Sequence, residues 1–203
     1  MNKLRFVLVV MVCSGISAVC MAQSGRDVSI YPWIFTNGNV TSKTMAIASV
    51  KRITENQGLH VIANDTSVRI FDSLKPKIAL KDGLPSEADL GRFAKAVHAG
   101  ILIFGDVNWH TRSVWVGTGP KTISTATVDV YVYNTKEKKV TYIAEKVEGR
   151  SDEKESALKD VLAVLVTPLI TAVSGGPATP REQRAVQIAV GRALAEWTRK
   201  ISR

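Results

Sequence analysis

The feature that most constrains this chain is a pair of long runs, Ile101 to Val116 and Thr122 to Asn134, separated by Gly117-Thr118-Gly119-Pro120. Both runs are rich in β-branched and aromatic residues, and a glycine–proline break between such runs reads as the turn of one antiparallel hairpin. Paired around Thr118-Gly119, the residues sort by face. Ile101, Ile103, Val107, Trp109 and Trp115 join Ala126, Val128, Val130 and Val132 on one side. Asp106, Asn108, His110 and Arg112 join Thr125, Thr127, Asp129 and Tyr131 on the other. One apolar and one polar face predict a hairpin covered on one side only. Leu102 and Phe104 break the alternation near the base, which predicts cover on both faces there.

Shorter elements surround the hairpin. Val28 to Phe35 reads as a first strand with Pro32 at an edge or bulge, followed by an Asn37-Gly38-Asn39 turn. Ala46, Val50 and Ile53 have helical spacing between Thr41 and Asn56, and Gly58 is the expected stop. Leu59 to Ile62 is a short strand, whereas Asn64 to Pro76 fits either a strand or a short helix. Pro85, Ser86, Glu87 and Asp89 are start signals for a helix whose buried stripe is Leu90, Phe93, Ala94 and Val97, with Gly100 as its end. Val140 to Glu148 forms a third long strand after the charged turn Asn134 to Lys139.

Asp152 to Val173 has a helical pattern, apolar on nearly all sides from Val161, with Pro168 expected to kink or end it. That apolar part is shorter than the roughly 20 residues a bilayer requires. Thr179 and Pro180 open a last helix, with Val186, Ile188, Ala189, Val190, Ala193, Leu194, Trp197 and Ile201 inward. Arg181, Arg184, Arg192, Arg199 and Lys200 are expected to face solvent. The order β-α-β-α-β-β-β-α-α defines an α/β (α+β) single domain, a mixed sheet with an antiparallel meander packed by helices. A length of 203 residues with 45% apolar content supports one core of that kind.

The amino terminus stands outside this pattern. Lys3 and Arg5 precede an apolar run from Phe6 to Ala18, and small residues follow up to Ala22. Charge, apolar run and small-residue exit occur in the order of a secretory signal peptide, predicting export to the periplasm or beyond the cell. Residues 1–22 are therefore read as the signal and 23–203 as the folded domain, with cleavage after Ala22 or after Cys20. Cys13 and Cys20 each follow a valine, which disfavours lipidation, and they are the only cysteines. Cleavage after Ala22 leaves none, so the expected fold is held by its core without disulfides or metal. A net charge of +9 favours anionic partners, while export separates the chain from nucleic acid.

Four segments carry a family resemblance. They are Ile30-Tyr31-Pro32-Trp33, the helix-to-strand step Phe93 to Val107, the strand Ala126 to Thr135 with its successor from Val140, and the closing helix through Ala185, Ile188, Ala189, Ala193 and Leu194. Together the chain resembles a group of bacterial envelope proteins that includes the CsgG curli-secretion subunit, the TolB amino-terminal domain and penicillin-binding-protein activators. The resemblance implies a common fold and partners such as cell-wall enzymes, a translocation machine or further copies of the chain. Gly100 stands where the group has an aspartate, and Lys136-Glu137-Lys138 replaces the glycine expected in the second hairpin turn.

Chemistry-bearing constellations are sparse. His60, His98 and His110 are spread over three elements without metal-ligand spacing. Asp106 and Asp129 fall on one face, diagonally placed for glycosidase-type acid–base work, but among ordinary polar strand residues. No Gly-x-Ser-x-Gly elbow occurs, and Gly117-Thr118-Gly119-Pro120 lacks the context of a phosphate loop. The reading is a non-enzyme without cofactor, acting by surface contacts with an envelope protein or an anionic envelope polymer. Candidate contact residues are His110, Arg112 and Trp115 near the hairpin tip, because aromatics and arginine are enriched at interface anchors. Trp109 is assigned to the core. Alternatives are a secretion-pore subunit, opposed by the charged hairpin face, and a hydrolase of envelope polymers, opposed by the missing constellation.

Overall fold

A computed structural model describes residues 27–31, 40–81, 84–153 and 179–201. The expected signal segment, the stretch from Pro32 through the expected turn at Asn37-Gly38-Asn39, and the expected apolar helix Val161 to Val173 with Pro168 lie outside the described residues. The described elements, in chain order, are β1 (Asp27–Ile30), α1 (Val40–Asn56), β2 (His60–Val61), α2 (Asn64–Ser73), β3 (Leu80–Lys81), β4 (Leu84–Pro85), α3 (Glu87–Val97), β5 (Ile101–Val116), β6 (Gly119–Asn134), β7 (Lys139–Arg150) and α4 (Pro180–Ile201). The main sheet runs β2-β1-β5-β6-β7, with β1 parallel to both neighbours and β5-β6-β7 an antiparallel meander; β3 and β4 pair separately. This is the mixed α/β architecture expected, and the ambiguous segment after Asn64 is a helix.

Local chemistry accounts for the helix ends. Ser86 Oγ accepts the Asp89 N–H at 3.2 Å and caps α3. Thr179 and Glu182 form a reciprocal capping box at the start of α4. Gly58, at φ 71°, ends α1 where a left-handed residue is needed. The end of α3 differs from expectation: His98, at φ 58°, is the left-handed stop. Gly100 has already left the helix, and its N–H donates to the Asp27 carbonyl at the base of the sheet. In the second hairpin turn Lys138 takes φ 55°, standing in for the missing glycine, while Asn134 Oδ1 accepts the Lys136 N–H.

Both sheet faces are covered at the base of the long hairpin. Val28, Ile30, Ile103, Val107, Val128, Val130 and Val132 share one buried face. Against it pack α1, through Ala46, Val50 and Ile53, and α4, through Val186, Ala189, Val190, Ala193 and Leu194. Leu102, Phe104 and Tyr133 point the other way, beneath α2 and α3. There the Tyr31 ring meets Phe71 and Phe93 edge-on, at centroid separations of 5.3 and 4.9 Å. Ser29 and Ser67 hydroxyls close the same layer at 2.9 Å. Burial of each such large side chain contributes about 1.5–3 kcal/mol.

The hairpin register places Val116 opposite Gly119, so the turn residues are Gly117-Thr118 rather than Thr118-Gly119. The face assignment is unchanged, because moving the pairing by two residues preserves the two-residue side-chain period. Two of the expected solvent arginines are instead half-buried. Arg192 makes a bidentate pair with the Glu153 carboxylate and donates to the Glu148 carbonyl at 2.9 Å. Arg184 donates to the Glu153 carbonyl, also at 2.9 Å. Their stems lie along α4 while their heads hold the end of β7, a tertiary use that helical spacing does not reveal. Ile201, expected inward, is 40% exposed.

Candidate functional site

Most of the titratable residues singled out in the sequence engage the backbone or a neighbouring side chain. His60 is bonded to Asp27 at 3.1 Å, His98 terminates α3, and His110 is exposed on β5, so the three do not converge. Asp106 and Asp129 are directly opposite in the β5–β6 register, not diagonal. Asp106 Oδ1 accepts the Val107 N–H at 2.8 Å, and Asp129 Oδ1 accepts the Lys146 N–H at 2.6 Å. Lys146, at φ 55°, sits in a bulge between β6 and β7 that the second bond fixes. Beside them the Tyr131 hydroxyl donates to Glu145 at 2.9 Å. Burial, then that bond, and then the surrounding carboxylates hold the phenol well above its ordinary pKa.

A shallow groove of about 460 Å³ lies between α3 and the β6–β7 turn, bordered by Glu87, Gly91, Lys95, Tyr133, Thr135 and Lys138. Its polar groups are largely engaged in the fold. Glu87 accepts the Val140 N–H at 3.1 Å, and Thr135 donates to the Gly100 carbonyl at 2.8 Å. Sequence patterning does not find this groove, because a helix start and a distant hairpin turn build it jointly. Among the described residues no group of three or more histidine, cysteine or carboxylate side chains is placed to hold a metal ion.

The hairpin tip is different. Trp115 is 79% exposed, the most exposed of the large apolar side chains described, and its neighbour Val116 is 40% exposed. Pairing of β6 with β7 stops at Thr125–Arg150, so β5 and β6 continue beyond the last strand of the meander. His110, Arg112 and Lys121 are exposed along this extension. Parity puts Trp115 on the face opposite His110 and Arg112, so the three candidate residues share an end of the molecule but not one patch. Lys121 Nζ is 4.0 Å from the Asp152 carboxylate, which Arg150 holds by two bonds of 3.1 Å. Trp109 is half-buried opposite Ala126, at the margin of the core rather than within it.

Comparison with known proteins finds distant structural similarities and no family. No family model and no curated protein matches the chain. Among solved structures it is similar to the lipoprotein GNA1162 of Neisseria meningitidis, with TM-score 0.42 and 11% identity over 69% of this chain and 94% of that one. It is also similar to the hypothetical protein CT253 of Chlamydia trachomatis, with TM-score 0.36 and 12% identity over 87% and 95% of the two chains. Likeness at this distance assigns neither family nor role. Neither structure bears the name of the groups whose motifs the sequence resembles. No described helix is long and apolar enough to cross a membrane.

Proposed function

We propose that this is an exported, non-catalytic envelope protein that works as an interaction module, with the β5–β6 tip as its contact surface. The observation that carries this reading is Trp115, a large ring 79% exposed at the end of the long hairpin. The leader-like first 22 residues support export, and the resemblance to envelope proteins supports the compartment. One oxygen of each carboxylate in the Asp106–Asp129 pair is taken by a backbone N–H, a structural use that suits the non-catalytic reading. A pore wall is disfavoured as well, because the hairpin face with Asp106, His110, Arg112 and Asp129 would meet lipid.

The test separates binding from folding. Trp115→Ala and Arg112→Ala should leave stability within about 0.5 kcal/mol of the parent, as expected for exposed substitutions. Both should weaken cross-linking of the tip to its partner inside the producing cell. Trp109→Ala removes a half-buried ring and should cost about 2 kcal/mol, below the 3–5 kcal/mol of a fully buried aromatic. Denaturant melts read the stabilities directly. A Trp115→Ala protein as unstable as Trp109→Ala would place the ring in the fold and remove the proposed contact surface.

A further inference from the structure

We propose that the partner of the hairpin tip is an anionic membrane surface, into whose headgroup layer Trp115 and Val116 dip while Arg112 and Lys121 meet lipid phosphates. This identification rests on the tip being a contact surface and adds the chemistry of what it contacts. Charge is distributed unevenly along the hairpin. From Val107 to Val128 the sequence has no acidic residue, whereas its cations are Arg112 and Lys121, with His110 beside them. Asp152, 4.0 Å from Lys121, is balanced by two bonds from Arg150, while Asp106 and Asp129 face one another toward the base with Glu145 bonded to Tyr131 beside them. An anionic plane therefore attracts the tip and repels the base, which would present the hairpin end-on.

The apolar part of the tip suits the same environment. Val114, Trp115 and Val116 occupy the last turn-proximal positions of β5, with Trp115 and Val116 exposed. Tryptophan favours the membrane–water boundary because its ring is apolar while its N–H keeps a polar partner. Arginine and lysine behind such a ring can leave their heads at phosphate level. Alternate residue pairs bond across the hairpin between Ser113–Thr122 and Val116–Gly119, and the backbone groups of the others face outward. A shallow insertion keeps those outward groups at headgroup level, where water and phosphates can pair with them.

Vesicles test this with the purified chain at low ionic strength, comparing phosphatidylcholine alone with a phosphatidylcholine–phosphatidylglycerol mixture. Binding is expected to the anionic mixture only and to fall as salt is added. Trp115→Ala should weaken it about tenfold or more, through loss of the inserted ring. Arg112→Gln and Lys121→Gln should each weaken it about fivefold. Brominated lipid tails should quench tryptophan emission in the parent. In Trp115→Phe the quenching should largely vanish while vesicle binding persists. This signal reads Trp115 itself, so attachment through the apolar run Phe6 to Ala18 would not imitate it.

Binding that is absent, or indifferent to Trp115→Ala, would overturn the proposal. If vesicle binding fails while tip-dependent cross-linking to a protein persists, the membrane assignment falls and the contact surface stands. If the tip variants alter neither vesicle binding nor cross-linking, both fall.

Discussion

Raising the pH above 10 is expected to unfold this protein cooperatively, with all four tyrosines ionising as it opens rather than beforehand. Burial is the leading cause that raises the pKa of Tyr31, Tyr131, Tyr133 and Tyr142 above the ordinary value near 10. Nearby carboxylates add to it: Asp89 at Tyr31, Glu145 at Tyr131, Glu87 at Tyr133 and Glu196 at Tyr142. The unfolded chain releases these protons near pH 10 while the native state retains them. Stability is therefore complete below pH 10 and falls as the pH rises, by about 1.4 kcal/mol per unit for each phenol kept protonated.

Tyr31, 0% exposed, contributes most, because burial raises its pKa well above the ordinary value and solvent screens it least. It alone removes about 1.4 kcal/mol per pH unit, a sizeable share of the 5–15 kcal/mol that holds a typical domain. Phenolate absorbance and circular dichroism followed through the same alkaline titration provide the check. A phenolate signal that grows near pH 10 while the dichroism remains native would show that the rings are accessible, contrary to expectation.

The second large effect is expected at two glycines. A Cβ on Gly105 would run into the Asp129 carbonyl oxygen and lie 2.8 Å from the carbon that bears it. On Gly149 it would collide with the Ala185 oxygen and the Ala189 nitrogen, and lie 3.0 Å from the Ala189 Cα. These are backbone atoms of a paired strand and of the helix packed on the sheet, so relief requires moving β6 or α4 as a unit. Gly105→Ala and Gly149→Ala should each cost at least the 3 kcal/mol or so that marks the upper range of ordinary overpacking. Gly117→Ala, in the exposed turn with nothing within 4 Å, should change stability by no more than about 0.5 kcal/mol. Equilibrium urea unfolding of the three variants measures the contrast. An equal response at all three positions would mean that the close approach of α4 to β7 is not a determinant of stability.

Much of the hairpin was legible because its determinants are local. Alternation from Ile101 to Asn134 assigned the faces correctly despite a turn misplaced by one residue, since the pairing changed by a whole side-chain period. The Leu102 and Phe104 exceptions correctly indicated a base covered on both sides. Ser86 and Thr179 announced helix starts through hydrogen bonds that span only three residues. The exposure of Trp115 was also readable from its distance along a strand that outruns its neighbours.

Other features had no local signature. Asn64–Ser73 is too short and mixed for its period to distinguish helix from strand, and Ser67 and Phe71 commit it by docking against Ser29 and Tyr31. His98 displaced Gly100 as the helix stop because Gly100 was already engaged with Asp27 of β1.

The sequence by itself determined the periods, the helix-start caps, the two faces of the long hairpin and the absence of acidic residues from Val107 to Val128. These follow from sterics, hydrogen bonding and charge acting within a few residues. Only the tertiary structure decided that β1 lies between β2 and β5, that Arg184 and Arg192 turn inward to Glu153, and that Asp129 fixes the bulge at Lys146. Each of those depends on groups brought together across long stretches of chain, whose partnership is selected by packing the whole core rather than by any local preference.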